Sequence, residues 1–504
     1  MRRLCLSRVS NGPRIDGSFL PWSTNLRKRL LEFYPLPEGV EPIPDHVLLE
    51  PKWLLDFAEH VEQSCPPDAV PLAGSGNDDV PPDDLLDIPG GLTASIASNH
   101  RLTPTSHWQD VRHITIDIAS YHPYVPGDVL TIYPKNFPTD VNEFLSVMGW
   151  TSIADTPLRF TPTTGSSAPD SRLPIPHVGA STPLTLRVLL TNHLDIMSIP
   201  RRSFFAHIAH FTKDEFQRDR LLEFTNPEYI DELYDYTTRP RRSILEVMQE
   251  FETVKFPWQR LCSIIPVMRG RQFSIASAIN PTAEADNRTR IELLIAIVKY
   301  RTIIKRLRQG VCTRYISALQ PGQTITVTLQ RGGLGVTKAE MDRPVVMIGP
   351  GTGVAPMRAL TYQRKLWRDE TLLVSPDKSK AKDILFFGCR NAESDFFFKS
   401  EWEQLKQEGI PLDVHAAFSR DQVSFTYDIP SEYHAHQMTE AESIHPRHYT
   451  PEECRCLRGS RKSQRHRIYM LLVWENASSR SRGAHRGFPE SRELGSRRGR
   501  EIPR

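Results

Sequence analysis

The sequence predicts a mixed fold: an antiparallel β-barrel with a helical insert, followed by a doubly wound α/β domain. Three observations carry this. Ile114, Ile116 and Ile118 alternate with Thr115 and Asp117, and Ile325, Val327 and Leu329 alternate later in the same way, the period of half-buried antiparallel strands. Between these two sets, Leu184 to Cys262 has helical composition. Last, Val345 to Ile348, Ile384 to Phe387 and Val414 to Phe418 are short apolar runs separated by helix-length segments, the rhythm of a parallel sheet wrapped by helices.

Met1 to Arg14 has no periodicity. After Ile15-Asp16-Gly17-Ser18 the text turns helical from Thr24 to Phe33, with Leu26, Leu30 and Phe33 on one face. Pro, Asp and Gly dominate from Cys65 to Gly91, a composition that predicts a flexible connector. Strand signals start near Trp108, and Val129 to Tyr133 follows a Pro126-Gly127 turn. Pro162 to Thr182 is a Pro/Ser-rich loop. In the helical block, Ser243-Ile244-Leu245-Glu246 is a capping box, in which serine and glutamate each satisfy a free amide at a helix entrance. The barrel resumes with Gln272 to Ala276 and the run Ile291 to Val298.

The chain is organised around Val345 to Pro356, an apolar strand that breaks into Gly349-Pro350-Gly351-Thr352-Gly353 and opens a polar helix, Met357 to Arg368. Glycines let backbone approach a pyrophosphate, the first helical amides are unpaired donors, and Pro356 suits a first turn where no amide hydrogen is needed. This suits a dinucleotide, although the spacing is not G-x-G-x-x-G and a Gly-Pro-Gly turn by itself fits a plain turn as well. Arg271-Gln272-Phe273-Ser274-Ile275-Ala276-Ser277 puts a guanidinium, a ring and two hydroxyls on one extended segment, able to grip a phosphate and stack on a planar ring, or to be an ordinary strand. Gly310-Val311-Cys312-Thr313 lies between these two motifs in the chain. Ser419-Arg420, at a strand end, offers a hydroxyl and a guanidinium to a 2′-phosphate, or is a surface turn.

With 504 residues, 39% of them hydrophobic, the chain can hold two or three cored domains. A net charge of +3 is too small to point to nucleic acid, and its excess gathers at the C-terminal end. The seven cysteines are scattered without a paired framework, as in a reducing compartment, and no run approaches a membrane span. The expectation is a cytoplasmic location. Cys454-x-Cys456 with His466 fits no common zinc spacing, so no metal is expected.

The three nucleotide motifs, in this order, resemble the ferredoxin-NADP reductase module of the diflavin reductases. The match is closest to the NADPH-dependent diflavin oxidoreductases of cytosolic iron–sulfur protein assembly, and it runs from Ile15 to Gln422. The resemblance implies FAD and NADPH as cofactors, FMN in a flavodoxin-like domain of intact relatives, and electron transfer to an iron–sulfur protein of the anamorsin type. Other branches reduce haem proteins, as P450 reductase and the sulfite reductase flavoprotein do, and a non-catalytic FAD-binding fragment is the reading from another class.

It implies these domains: residues 1–64 as the end of the flavodoxin-like domain and a linker, 65–91 as connector, 92–340 as the FAD-binding barrel with its insert at 184–262, 341–422 as an incomplete NADP-binding domain, and 423–504 as an aberrant or disordered tail. It also implies roles. Arg271 binds the flavin phosphates, Phe273 stacks on the isoalloxazine where the family more often has tyrosine, and Ser274 sits where hydride arrives. Gln272 lies between them, Arg241 is a second flavin-contacting arginine or a solvated basic residue, and Gly310, Val311, Cys312 and Thr313 receive the diphosphate. Gly351, Thr352 and Gly353 receive the nicotinamide dinucleotide, Cys389 lies beside its reacting carbon, and Ser419 and Arg420 hold its 2′-phosphate.

After Gln422 the family's remaining features are missing. Val423-Ser424 can be encoded as the usual opening of an intron, and Val473-Trp474-Glu475-Asn476-Ala477, shifted by one base, can read Ser-Gly-Lys-Met-Pro. The expectation is therefore an unremoved intron followed by a shifted reading frame.

Overall fold

The computed structural model describes residues 15–37, 39–40, 47–58, 79–163, 173–175, 183–302, 305–372, 382–421 and 469–472. In chain order the strands are β1 (Trp53–Phe57), β2 (Leu92–Arg101), β3 (Val111–Ile118), β4 (Val129–Ile132), β5 (Leu158–Pro162), β6 (Arg271–Ser274) and β7 (Thr289–Ala296). Then follow β8 (Lys299–Arg301), β9 (Leu307–Gln309), β10 (Thr324–Gln330), β11 (Val345–Pro350), β12 (Asp383–Cys389), β13 (Leu412–Phe418) and β14 (Tyr469–Leu472).

Six strands pair in the order β6-β4-β10-β2-β3-β7, all antiparallel, and a bridge from Ile275 to Leu293 returns the end of β6 to β7. That is a nearly closed barrel, as expected. Its interior is the alternate face the isoleucine pattern picks out: Ile114, Ile116, Ile118, Ile325 and Val327 are buried together with Leu130, Ile132 and Ile275. Strand β2 precedes the first strand signal near Trp108; its Ala94 and Ile96 point inward, but small and polar neighbours hide the period.

The insert builds its own core, in which Phe144, Phe205, Phe224 and Phe256 are buried. Its helices are short, and the predicted capping box closes the helix Ile244–Glu250: the Ser243 side chain accepts from the Glu246 amide while Glu246 accepts from the Ser243 amide. Two expectations shift here. The first helix runs Ile15–Phe33, passing through Pro21 instead of starting at Thr24, and leaves Phe33 77% exposed. Strand β1 pairs antiparallel with β5, and its Leu55 is buried in the insert's core, so part of the segment assigned to linker belongs to this unit.

The described end of the connector is laid down on the barrel: Thr326 Oγ1 takes the Leu86 amide at 2.8 Å, and the buried Lys135 ammonium donates to the Pro82 carbonyl and to Asp84. A buried ammonium needs such acceptors, and this segment supplies them. Residues 59–64 of the linker, 65–78 of the connector, and 423–468 and 473–504 of the tail with Cys454, Cys456 and His466, lie outside the described residues.

The second sheet is parallel, in the order β13-β12-β11-β14. The chain winds from β11 to β13 in one direction, and β14, in the stretch where no element was expected, lies on the other side of β11. The winding reverses between β12 and β14, so the loop leaving β11 sits at the topological switch point, where open α/β sheets bind ligands. Among the described residues no helix is long and apolar enough to cross a membrane.

One polar cluster at the base of this sheet is not visible in the sequence. Arg364, with 0% exposure, donates to both Asp383 carboxylate oxygens at 2.9 and 3.0 Å and to the carbonyls of Met341 and Arg343. Arg368 donates to the same carboxylate at 2.7 Å, and Asp383 also accepts the Val345 amide.

In the insert, burial pushes the His193 imidazole down to about 4 from 6.5. The folded chain holds the ring neutral where the unfolded chain takes a proton, so stability is full above 6.5 and falls as the pH drops from there to about 4. The expected loss is about 3 kcal/mol. Urea midpoints measured across that range should show it, and His193→Gln should flatten it.

Candidate nucleotide sites at the barrel and the switch point

Strand β6 is held by β4, with Arg271 opposite Ile132, Phe273 opposite Leu130, Gln272 opposite Thr131 and Ser274 opposite Val129. Alternation puts Arg271 and Phe273 on one face, where Phe273 packs half-buried against the barrel core, and Gln272 and Ser274 on the other. The Arg271 guanidinium donates to the Arg269 carbonyl and meets the buried Asp195 carboxylate at 3.5 Å; at 40% exposure it keeps donors toward solvent. Burial raises Asp195 above the usual carboxylate range, and Arg271 opposes that rise. The second hydroxyl of the motif is committed elsewhere: Ser277 Oγ meets Tyr124 Oη at 2.9 Å and accepts the Glu292 amide.

The helix Val311–Ala318 starts at Gly310, and no side chain caps its first turn, which leaves its leading amides to a ligand. Gly310 packs tightly: a Cβ there would lie 2.9 Å from Thr313 Oγ1 and 3.1 Å from Val298 Cβ. The Thr313 hydroxyl, expected at the diphosphate, instead accepts the Val298 amide and donates to the Gly310 carbonyl, so it shapes the turn while the amides remain. Cys312 is buried beneath, its thiol pushed up to about 12 by burial, with the Arg271 charge close enough to oppose the rise. β6 and this helix start therefore converge.

Arg241 lies on an exposed turn with φ 54, and among the described residues its side chain has no partner, unlike Arg242, which stacks on Tyr236. Arg308 Nε donates to the Pro240 carbonyl and Arg308 Nη1 to Glu246, and Arg308 is two residues before Gly310. This ties the Arg241 turn to the strand that feeds the Gly310 loop.

At the switch point β11 leads into the turn Gly351–Val354 and then the helix Ala355–Leu372, with Pro356 in its first turn as predicted. Gly349 admits no Cβ, which would lie 2.8 Å from Val354 Cα, and Gly351 takes φ 56, a left-handed conformation suited to glycine. No side chain caps this turn either, so Gly351, Thr352 and Gly353 present backbone to the sheet's upper edge. Cys389 ends β12 at the same edge. Ser419 and Arg420 continue beside it, their amides donating to the Cys389 and Arg390 carbonyls, and both are exposed.

Burial, the Asp395 carboxylate and, beyond it, Asp421 push the Cys389 thiol far above the usual range. At neutral pH it should alkylate slowly, with a rate that rises only well above the pH at which a free cysteine reacts. Iodoacetamide kinetics against pH check this.

The two halves share one apolar cluster, in which Val111, Ala276 and Leu294 of the barrel pack with Val354, Ala355 and Met357 of the α/β domain, Cys389 lying against it. Two uncapped helix starts, a part-exposed arginine at the first and glycine turns at both fit the phosphates of two nucleotides.

The comparisons agree with this geometry. A family model described as "FAD binding domain" matches residues 90–315, and one described as "Oxidoreductase NAD-binding domain" matches 347–445, a range that extends beyond Gln422. The two matches define the class, a flavoprotein oxidoreductase module. Relatives named "NADPH-dependent diflavin oxidoreductase 1" are 48% identical over 428 residues in Emericella nidulans, 47% over 421 in Aspergillus fumigatus and 44% over 422 in Gibberella zeae. These alignments cover 82%, 81% and 82% of this chain and 64%, 64% and 66% of the relatives, so the chain spans about 64% of the length of the first two. The chain belongs to the NADPH-dependent diflavin oxidoreductase family.

Proposed function

We propose that this chain is the module that draws electrons from NADPH onto FAD in a cytosolic NADPH-dependent diflavin oxidoreductase. In the complete protein they pass through FMN to an iron–sulfur protein of the anamorsin type, in cytosolic iron–sulfur cluster assembly. The observation that carries the reading is the juxtaposition of two nucleotide-shaped sites, one on the barrel and one at the switch point, packed through a single apolar cluster.

FAD supplies the conversion of a two-electron hydride donor into one-electron steps. The chain's part is to bind and orient. Arg271 and Arg241 supply charge to the flavin phosphates, and the amides of Val311, Cys312 and Thr313 supply donors. Phe273 and Gln272 border the ring system, and Ser274 offers a hydroxyl at its edge. Gly351, Thr352 and Gly353 hold the pyrophosphate of NADPH, Ser419 and Arg420 its 2′-phosphate, and the uncharged Cys389 thiol packs beside the nicotinamide.

A polypeptide of these 504 residues, loaded with FAD, should reduce ferricyanide-like dyes with NADPH but not cytochrome c, because the one-electron exit through FMN is not in the matched region. Steady-state assays with both acceptors test it. Robust cytochrome c reduction would contradict the assigned order of carriers.

A further inference from the structure

Arg358, on the helix that follows the Gly351–Val354 turn, is 7% exposed and reaches three segments at once. Its Nε and Nη2 donate to the two Glu401 carboxylate oxygens at 2.7 and 3.1 Å, within the α/β domain. Its Nη1 crosses to the barrel and donates to the Ala276 carbonyl and to Glu292 Oε2, both at 2.8 Å. The guanidinium also lies 4.5 Å over the Phe398 ring, and His113 meets the same Glu292 oxygen at 2.9 Å. Burial alone would raise Glu292, but His113 and Arg358 outweigh it and hold the carboxyl at about 2.

Ala276 is two residues beyond Ser274, and its amide donates to the Glu292 carbonyl at 2.7 Å, so the barrel end of the contact is the strand that carries Arg271 to Ser274. One planar fork thus connects the helix behind the dinucleotide turn to the strand behind the flavin site. A guanidinium can hold Glu401 bidentately with one edge and still donate across the interface; an ammonium keeps the charge but loses this planar fork.

We infer that Arg358 is a positioning residue: it sets the separation of the two nucleotide sites, and hence the rate at which NADPH reduces the flavin, without touching either nucleotide. The inference rests on the function proposed above. A displacement of about 1 Å at such an interface costs on the order of a hundredfold in rate, so partial loosening should be visible while binding stays intact.

The test uses the full chain loaded with FAD, as wild type, Arg358→Lys and Glu292→Gln. Calorimetry of the wild type should give one unfolding transition, and each variant should split it, with the α/β domain melting first. In rapid mixing at saturating NADPH, loss of flavin absorbance should slow about tenfold or more in each variant, with flavin content and NADPH dissociation constant unchanged. An undivided transition together with an unchanged limiting rate in Glu292→Gln would overturn the inference, even if Arg358→Lys did not fold. So would a loss of NADPH affinity that accounts for the slower rate, because Arg358 would then be a nucleotide contact. If NADPH fails to reduce the wild type, the reductase reading falls and calorimetry alone decides the clasp: splitting in the variants supports it and no splitting refutes it.

Discussion

Replacing Asp383 by alanine should unfold the α/β domain while the barrel keeps its flavin. Asp383 answers two guanidinium groups and an amide at the base of the sheet, and Arg364 beneath it is wholly buried. Removing the carboxylate leaves that charge uncompensated, which costs about 3–5 kcal/mol, a large part of the stability of a single domain. A urea titration followed by FAD fluorescence and by far-ultraviolet dichroism separates the halves. The dichroism should fall at low denaturant while flavin release keeps its wild-type midpoint. A second variant sharpens the attribution: Arg364→Met and Arg368→Met combined with Asp383→Leu remove the carboxylate and both guanidinium groups that it answers, and this variant should recover part of the loss because neither guanidinium is left stranded. If Asp383→Ala melts with wild-type midpoints, the cluster is a bystander.

Arg271→Ala should lose most of its flavin on purification. The guanidinium is held by Asp195 and the Arg269 carbonyl and is still 40% exposed, beside the uncapped start of the helix Val311–Ala318. A charge-assisted contact of this kind is worth about 2 kcal/mol, or about thirtyfold in affinity. Fluorescence titration of stripped protein with FAD reads this directly. Arg271→Lys should fall between, since an ammonium keeps the charge and loses the fork. The variant also frees Asp195, whose carboxyl is raised by burial and lowered by Arg271, so without the arginine it should take up a proton more readily. Wild-type flavin affinity in Arg271→Ala would place the flavin elsewhere.

What the sequence disclosed depends on how local the cause is. The barrel strands follow from alternation at Ile114, Ile116 and Ile118, the capping box from two residues three apart, and the switch-point turn from glycines within five positions. Each is decided within one turn or one strand. The helix after the turn shows the opposite case: Met357 to Arg368 looks polar, yet Arg358, Arg364 and Arg368 are buried. Their partners Glu292, Glu401 and Asp383 come from β7, the helix Lys399–Gln407 and β12, and no local pattern couples them. The only trace is spacing, since Arg358, Thr361, Arg364 and Arg368 recur at helical intervals and are buried together.

The hydroxyls of Ser277 and Thr313 fail as ligands for the same reason. Their chemistry suits a nucleotide, but the Glu292 and Val298 amides, brought in by the barrel, take them first. Composition hides the anchoring of the connector's described end, because Pro- and Asp-rich text says nothing of the buried Lys135 that recruits Pro82 and Asp84.

The central claim is that the two sites form one reductase. Anaerobic titration of the FAD-loaded chain with NADPH, and separately with NADH, tests it most directly by following the yellow flavin absorbance. The account predicts bleaching by NADPH, with weak nucleotide affinity and only a modest preference over NADH, because among the described residues Ser419 and Arg420 alone are assigned to the 2′-phosphate. Flavin that binds and stays oxidised under excess NADPH would contradict it.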